Sequence, residues 1–310
     1  MRIVFMGTPD FGIPSLEKLL NSKHEVVGVV TAPDKPRGRG LRLSESPVKK
    51  FSKEHNLKVL TPESLKSDDF FCSLEELTPD LSVVVAFRIL PERIFTLPKL
   101  GTINLHASLL PKYRGAAPIN WAIINGETKT GLTTFYIQKK VDTGDLILQK
   151  EIDILPEENF GELHDRMAKL GAALLLQTLD LIEKGDAKPT KQDHAQATPA
   201  PKINREHCQI DWSKEAVQIR NQIRGLSPIP AAFTLYKARI LKIYQSKVIG
   251  ETLFSNGFGE VVESDSKEKI WIKTKKGILN VLELQSEGKR KMTAEEFIRG
   301  YRIQVGEKLG

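Results

Sequence analysis

The amino-acid sequence predicts an α/β protein: a doubly wound domain built on a parallel sheet, followed by a smaller antiparallel β barrel or sandwich. Apolar runs typical of buried strands alternate with helical patterns over the first 185 residues. A segment rich in proline and alanine follows at 186–206, and beyond it short strand-like runs are separated by Gly, Asn and Ser. With 310 residues, 40% of them hydrophobic, the chain is long enough for two folded domains.

The strands of the first domain are predicted from four short runs of β-branched and apolar residues. The runs lack the polar/apolar alternation of half-buried strands, so they suit strands that are covered on both faces. They are RIVFM (2–6), HEVVGVV (24–30), LKVL (57–60) and LSVVVAF (81–87). Pro14 opens a helix between the first two runs, and a helical pattern over 161–185 ends at Gly185. Strands that alternate with helices indicate a doubly wound sheet.

The segment 186–206 contains three prolines and no aromatic residue, which predicts a linker between a first domain at 1–185 and a second at 207–310. The second domain opens with a predicted helix whose apolar residues recur at helical spacing: Trp212, Ala216, Ile219 and Ile223. The runs AAFTLY, RILKIYQ, KIWIK and GILNVLELQ then predict antiparallel strands. A final helix is expected from Thr293, with Glu296 completing a capping box.

Composition excludes several classes of protein. No apolar run approaches 18 residues, so a transmembrane helix is not expected, and the first residues predict a strand and not a signal peptide. The two cysteines, Cys72 and Cys208, are too far apart for a CxxC site and too few for a disulfide framework. The six histidines show no metal-binding spacing. We therefore expect a cytoplasmic protein without a metal site.

The net charge of +7 raises the question of a polyanionic partner. The basic excess is concentrated in two places. Residues 37–53 hold six basic residues against one acidic residue, and residues 206–310 hold 18 against 13. Many basic proteins bind nothing acidic, so the charge alone decides little. Its concentration in one loop and one tail makes a nucleic acid a candidate partner.

The candidate catalytic groups lie in GTINLHASLLPKYRGAAPINWA, residues 101–122. Asn104 and His106 end a predicted strand, and the two-residue period of a strand puts both on one face. A carboxamide can donate to a developing oxyanion, and an imidazole can move or stabilise a proton, which suits acyl chemistry. Asp142, in the turn after LTTFYIQ, is a candidate partner for His106, although Asp and Gly also form such turns for local reasons.

Two further motifs are weaker. Ser108 lacks the GxSxG context of a nucleophile elbow, so a covalent serine mechanism is not expected. The segment GTPDFG, residues 7–12, follows the first strand where a phosphate loop would lie, but it has neither the GxGxxG pattern nor a Walker lysine. A structural turn is the more common explanation.

Together these segments resemble methionyl-tRNA formyltransferases, a family of the folate-dependent formyltransferase superfamily. The resemblance runs almost end to end: MGTPDFGIPSLEKLL, TAPDKPRGRG, INLHASLLPKYRGAAPINWAI, VDTGDLIL and IDWS with IRGLSPIPAA. It implies a Rossmann-like parallel-sheet formyltransferase domain followed by a small OB-like β-barrel domain. One stretch departs from the family pattern. Phe87-Arg88-Ile89-Leu90-Pro91 stands where Ala-Tyr-Gly-x-Ile-Leu-Pro is expected and is a residue shorter.

The resemblance also implies substrates and site residues. The formyl donor is expected to be 10-formyltetrahydrofolate, used without a metal, and the acceptor initiator methionyl-tRNA. Asn104, His106 and Asp142 match the family's catalytic trio. The segment expected to contact the folate is Ser108, Leu109, Leu110 and Pro111. The residues expected to contact tRNA are Arg37, Arg39, Arg42 and Lys49 in the basic loop, with Arg220 and Arg224 in the tail. A monomer is expected.

Two other functions remain open from the sequence. A formyltransferase acting on a small amine, such as an amino sugar nucleotide or glycinamide ribonucleotide, would share the core, but it would not need a basic loop and a basic tail. A non-catalytic RNA-binding protein on the same scaffold would not need Asn104, His106 and Asp142 together. The sequence gives still less support to a nicotinamide dehydrogenase, because the glycine fingerprint of dinucleotide binding is missing.

Overall fold

The structure, a computed structural model, describes residues 1–37, 42–265 and 269–310. The chain forms two compact units, neither of them continuous in sequence. The first unit comprises Met1–Gly115, Thr130–Ile152 and His164–Ala200. The second comprises Ala116–Lys129, Asp153–Leu163 and Pro201–Gly310. Of the basic loop, Arg39 lies outside the described residues, as do the side chains of Arg37 and Arg42.

Eleven of the described strands belong to the first unit. Seven of these form one sheet, in the order β10-β9-β7-β6-β1-β2-β5. The eleven strands are β1 (Arg2–Gly7), β2 (Glu25–Val30), β3 (Lys35–Arg37), β4 (Arg42–Ser44), β5 (Val59–Leu60), β6 (Leu81–Val85), β7 (Thr102–His106), β8 (Arg114–Gly115), β9 (Lys129–Tyr136), β10 (Leu146–Asp153) and β11 (Pro199–Ala200). β3 pairs antiparallel with β4, and β8 pairs parallel with β11.

The predicted parallel sheet is confirmed over its centre. β1 pairs parallel with β2 and with β6, β2 with β5, and β6 with β7. The four apolar runs are β1, β2, β5 and β6, and β6 is buried throughout. Beyond β7 the direction reverses, because β9 pairs with β7 antiparallel.

The helices cover the apolar surfaces of both units. In chain order they are α1 (Ile13–Leu20), α2 (Pro47–Glu54), α3 (Asp68–Glu75), α4 (Glu92–Phe95), α5 (Pro118–Ile124), α6 (Phe160–Lys184), α7 (Arg205–Cys208), α8 (Ala216–Leu226) and α9 (Ala294–Tyr301). Helix α6 packs against β7: a Cβ on Gly171 would lie 2.8 Å from Leu105 Cδ2. Because strand residues alternate between faces, Leu105 on the α6 side leaves Asn104 and His106 on the opposite side. No helix among the described residues combines the length and apolarity that crossing a bilayer requires.

An antiparallel sheet forms the centre of the second unit, as predicted. Its strands follow the order β12-β13-β16-β15-β14, with β17 added against β16. They are β12 (Ala232–Tyr236), β13 (Arg239–Leu253), β14 (Val261–Asp265), β15 (Lys269–Lys273), β16 (Lys276–Ser286) and β17 (Met292–Thr293). Helix α9 begins as expected, with Thr293 and Glu296 forming its capping box.

The helix after the linker is shorter than its apolar spacing indicates. It begins at Ala216, with Glu215 as its N-cap, and Trp212 lies in the turn before it. Trp212 is nevertheless buried in the same core, and its indole Nε1 donates to Thr234 Oγ1 at 3.0 Å. Hydrophobic spacing therefore identified the buried residues correctly and placed the start of the helix one turn too early.

Helix α5 belongs to the second unit although its sequence lies between strands of the first. It packs closely against α8. The Asn120 side chain donates to Gly225 O at 2.8 Å, and Ile124 packs on the apolar core of the second unit. A Cβ on Gly225 would lie 2.7 Å from Ile124 Cγ1 and 3.2 Å from Asn120 O. The absence of a side chain at position 225 therefore sets how close the two helices can come.

Replacing Gly225 by Ala should destabilise the second unit by about 1–3 kcal/mol, because the added methyl overpacks the α5–α8 contact. Gly300→Ala is a matched control, since Gly300 is also the penultimate residue of its helix and a Cβ there meets nothing within 4 Å. The control should stabilise the protein slightly, by up to about 1 kcal/mol, through helix propensity. Urea unfolding followed by circular dichroism measures both changes. Equal stability of the two variants would contradict close packing at Gly225.

Candidate active site

Asn104 and His106 lie at the carboxyl end of β7, in the centre of the sheet. The strand pairs on one side with β6, where Val84 faces Asn104, and on the other with β9, where Thr133 faces His106. Because β6 and β7 run in parallel, their carboxyl ends meet at one edge of the sheet, where doubly wound proteins bind ligands. His106 is buried and Asn104 is half-buried.

The His106 ring is held from two sides. Its Nε2 lies 2.9 Å from the carbonyl oxygen of Tyr113, a hydrogen bond in which Nε2–H donates. Its Nδ1 faces Asp142, with 3.8 Å between Nδ1 and Oδ2. That separation is too long for a hydrogen bond but close enough for an ion pair when the imidazole is protonated. Both side chains are about one-tenth exposed or less, so their electrostatic interaction is poorly screened by water.

Asp142 reaches His106 from a turn with left-handed backbone. Its φ is 53°, and its Oδ2 accepts a hydrogen bond from the Gly115 N–H at 2.8 Å. Two residues on, a Cβ on Gly144 would lie 1.6 Å from Tyr136 O, so no other residue fits at that position without moving the turn. The predicted approach of Asp142 to His106 is thus present in the structure. The turn packs against the end of β9, where Gly144 contacts Tyr136 O.

The segment expected to contact folate is held by one hydroxyl from β9. Thr133 Oγ1 donates to Ser108 O at 2.7 Å and accepts from Leu110 N at 3.2 Å and from Gln149 Nε2 at 3.0 Å. Gln149 Nε2 also donates to Leu110 O at 2.8 Å. The Ser108 hydroxyl donates to Lys112 O at 2.6 Å. Ser108 therefore closes the loop that leads to the cis Leu110–Pro111 peptide.

The shortened stretch after β6 begins at the same edge of the sheet. Ala86 has a φ of 50°, and Arg88 folds back to donate to Glu63 O at 3.1 Å and Pro62 O at 2.8 Å. Its guanidinium lies 5.3 Å from the Phe87 ring centroid. Burial lowers the pKa of Arg88. The sequence departure is thus a compact turn with an arginine at its centre.

The residues expected to contact tRNA are engaged in contacts within the protein wherever they are described. Lys49 Nζ lies 2.7 Å from Asp34 Oδ2, and this hydrogen bond raises the lysine's pKa. Arg220 bonds Pro156 O and Glu157 Oε1, each at 2.7 Å. Arg224 bonds Asn221 Oδ1 at 2.9 Å, and burial lowers its pKa. Their role in binding tRNA stays a prediction.

One group of potential metal ligands occurs among the described residues: His24, Asp180 and Glu183. A lysine already provides positive charge there, since Lys23 Nζ lies 3.0 Å from Asp180 Oδ1 and 2.6 Å from Glu183 Oε2. The hydrogen bond from Lys23 is the largest of the influences that lower the pKa of Glu183 to about 2. The group is therefore an ion-pair network.

Comparison with known proteins places the chain in a family. A model of the formyl transferase family matches residues 1–179, and one of the formyl transferase C-terminal domain matches 202–302. The chain is 48% identical to the methionyl-tRNA formyltransferase of Caldanaerobacter subterraneus over 99% of both sequences. It is 46% identical to that of Alkaliphilus oremlandii over the full length of both. The chain belongs to the methionyl-tRNA formyltransferase family.

A solved structure also shares the fold of this methionyl-tRNA formyltransferase family member. A sugar 3N-formyl transferase aligns with a TM-score of 0.65 at 21% identity, covering 94% of this chain and 99% of that one. The resemblance noted from the sequence is confirmed, as are the parallel-sheet formyltransferase unit and the antiparallel unit that follows it.

Several groups around the site of this formyltransferase were not found from the sequence. They are Thr133 and Gln149, which bond the 108–111 loop, the Tyr113 carbonyl, the Gly115 N–H, and Gln192, which bonds the Asp142 turn. Threonine in a strand and glutamine in a proline-rich segment are common, and backbone groups have no sequence signature. The sequence signal nearest to these groups was the Asp and Gly of the 142–145 segment, which indicated a turn.

Replacing Thr133 by Val should lower the free energy of unfolding by about 1–3 kcal/mol, because it leaves buried partners of the hydroxyl unsatisfied. Thr96→Val is the control, since the Thr96 hydroxyl is exposed and bonds only Glu92 O at the end of α4. It should change stability by less than about 0.5 kcal/mol. Chemical denaturation measures both, and an unperturbed Thr133 variant would show that the loop does not depend on this hydroxyl.

Proposed function

We propose that this chain transfers the formyl group of 10-formyltetrahydrofolate to the α-amino group of methionine on initiator methionyl-tRNA, acting as a cytoplasmic monomer. The observation that supports this best is the cluster at the end of β7. His106 lies between a backbone carbonyl and the Asp142 carboxylate, on the same strand face as Asn104, in a chain of this family. Both side chains of the His106–Asp142 pair are largely buried, where fixed charges act most strongly.

The reaction exchanges one C–N bond for another. The α-amino nitrogen attacks the formyl carbon, a new C–N bond forms, the bond to N10 of the folate breaks, and the proton lost by the amine ends on N10. An α-amino group has a pKa of about 7.7–8.0, so its neutral, nucleophilic form is available near pH 7. Both the folate and methionyl-tRNA are substrates. Tetrahydrofolate and N-formylmethionyl-tRNA leave as the products.

Asn104 and His106 are suited to stabilise the charge that develops on the formyl oxygen. Because the Nε2–H of His106 donates to Tyr113 O, the donor available for substrate is the Nδ1–H that the ring has when it carries both protons. The 3.8 Å separation leaves that hydrogen without a full hydrogen bond to Asp142. Each donor aimed at an oxyanion typically contributes about 3–4 kcal/mol to the transition state. When the ring carries both protons, the Asp142 carboxylate stabilises its positive charge.

The 108–111 segment fits a flat, largely apolar ligand surface. The Ser108 hydroxyl and carbonyl, and the Leu110 N–H and carbonyl, are bonded within the protein. A Cβ on Gly131 would lie 2.4 Å from Leu109 Cδ2, so Leu109 rests directly on β9. Leu109 and Pro111 are then the groups of this segment that would pack on the folate ring, in a loop whose backbone is already fixed.

The catalytic assignment is tested by Asn104→Ala and Asp142→Asn. We expect formyl transfer to fall by about 10²–10³-fold for Asn104→Ala, as for other oxyanion donors, and by about 10²–10⁴-fold for Asp142→Asn. Asp145→Asn, in the same turn, is the control and should stay near the wild-type rate. Rates are measured with initiator methionyl-tRNA after circular dichroism has verified folding. Near-wild-type turnover in both site variants would refute the assignment.

The acceptor is tested in the same assay. Initiator methionyl-tRNA should be formylated faster than elongator methionyl-tRNA, an amino sugar nucleotide or glycinamide ribonucleotide. Preference for either small amine would overturn the tRNA assignment and leave the formyltransferase chemistry intact.

The basic loop is tested by the salt dependence of methionyl-tRNA binding. Each phosphate that the protein no longer neutralises should reduce the slope of log K against log salt by about 0.7–0.9. Arg39→Gln with Arg42→Gln should therefore flatten the slope by about 1.4–1.8 if each arginine neutralises one phosphate. Lys99→Gln, on an exposed lysine paired with Asp80, is the control and should leave it unchanged. An unaltered slope in the double variant would exclude the loop from the tRNA interface.

A further inference from the structure

Gln192 is a buried glutamine behind the turn that presents Asp142. Only 6% of its surface is exposed, although it lies in the segment that composition identifies as a linker. Its side-chain amide nitrogen donates to two carbonyl oxygens of the turn, Asp142 O at 3.0 Å and Gly144 O at 2.8 Å. The two hydrogens of one NH₂ group thus bond the carbonyl groups of the residues before and after Thr143.

The turn that Gln192 holds is also constrained by contacts with β9. Gly144 lies so close to Tyr136 O that a Cβ at position 144 would be 1.6 Å from that oxygen. The Tyr136 N–H also donates to Asp145 O at 3.0 Å, which ties the end of the turn to β9. Asp142 itself has a left-handed φ of 53°, a region that aspartate enters more readily in turns than most other non-glycine residues. Gln192 supplies two of the bonds that hold the turn in this conformation.

The acceptor end of Gln192 is fixed by Arg114. Arg114 Nε donates to Gln192 Oε1 at 3.1 Å, and a second guanidinium nitrogen bonds the same oxygen. That nitrogen also lies 2.9 Å from His194 Nδ1. The residues on either side of Arg114 contact the catalytic pair, Tyr113 through its carbonyl to His106 and Gly115 through its N–H to Asp142. One tripeptide therefore connects the histidine, the carboxylate and Gln192.

We propose that Gln192 is a positioning residue for formyl transfer: it holds the Asp142 turn so that the carboxylate faces His106 Nδ1. This rests on the proposed function, in which Asp142 acts on His106. An amide is the side chain that meets both demands, because its NH₂ donates to the two carbonyls while its oxygen accepts from the guanidinium. A glutamate at this position would bind Arg114 and repel the carbonyls, and a methionine of similar length would do neither.

The first test compares Gln192→Met with the wild type in steady-state formyl transfer. We expect kcat to fall about 10–100-fold, as for small misplacements of a catalytic group, while KM for both substrates changes less than about threefold. Gln192→Glu should be impaired at least as much. Gln196→Met is the matched control, since Gln196 lies in the same segment and bonds only Asp193 in an exposed turn. It should retain the wild-type kcat.

A double-mutant cycle separates positioning from a general loss of stability. If Gln192 acts through Asp142, Gln192→Met should cost less than about threefold in kcat when Asp142→Asn is already present. The same fold-loss in both backgrounds, or a kcat for Gln192→Met within twofold of wild type, would overturn the inference. Should Gln192→Met not fold, Gln192→Asn, which keeps the amide and shortens its reach, decides the cycle by the same criteria.

The cycle also distinguishes this inference from the proposed function. Wild-type kcat in Asp142→Asn would refute the role of Asp142 and with it the proposal for Gln192. A large loss in Asp142→Asn together with wild-type kcat in Gln192→Met would refute only the positioning role. Melting temperatures of all variants are measured alongside, and a lower melting temperature without loss of kcat would mark Gln192 as merely structural.

Discussion

The antiparallel pairing of β7 with β9 is the interaction on which the candidate active site depends. It sets Thr133 opposite His106 and Tyr136 opposite Ile103. From the first position, the threonine hydroxyl holds the 108–111 loop. At the second position, the carbonyl oxygen of Tyr136 lies directly against Gly144 and so fixes the turn that carries Asp142. A one-residue slip of β9 would turn the Thr133 hydroxyl to the other face of the sheet, because side chains alternate along a strand, and would move Tyr136 O away from Gly144.

Backbone groups hold two of the three side chains of the candidate trio, His106 and Asp142. The Tyr113 carbonyl accepts a hydrogen bond from Nε2 of His106 and so leaves Nδ1 facing Asp142. The Gly115 N–H donates to the Asp142 carboxylate. Both come from the two-residue strand β8 and its neighbour, which pair with β11 in the proline-rich segment. A Cβ on Gly115 would lie 2.6 Å from Ala200 O, so this close pairing requires glycine. The chain after α6 thus returns to support the candidate active site of its own unit.

How much could be predicted from the sequence differs between the elements and the site. The buried strands were found from uninterrupted apolar runs and α6 from its helical apolar spacing, because both patterns report burial directly, and the resemblance to formyltransferases was correct. Asn104 and His106 share a face by strand period alone. The assignment of α5 to the second unit had no such signal, because its partners, Gly225 and the core around α8, lie about a hundred residues away. The segment containing Gln192 resembled a linker because composition cannot show which polar side chains become buried.

The sequence by itself determined the order of strands and helices, the change to an antiparallel second unit, and the residue types of the candidate active site. These depend on local periodicity, turn chemistry and motifs, which neighbouring residues specify. The tertiary structure alone decided which nitrogen of His106 faces Asp142, what holds the Asp142 turn, and which unit includes α5. Each of these depends on hydrogen bonds and contacts between separate segments of the chain, as where Gln192 donates to Asp142 O at 3.0 Å and to Gly144 O at 2.8 Å. No local pattern encodes such distances, because they arise only when the whole unit has packed.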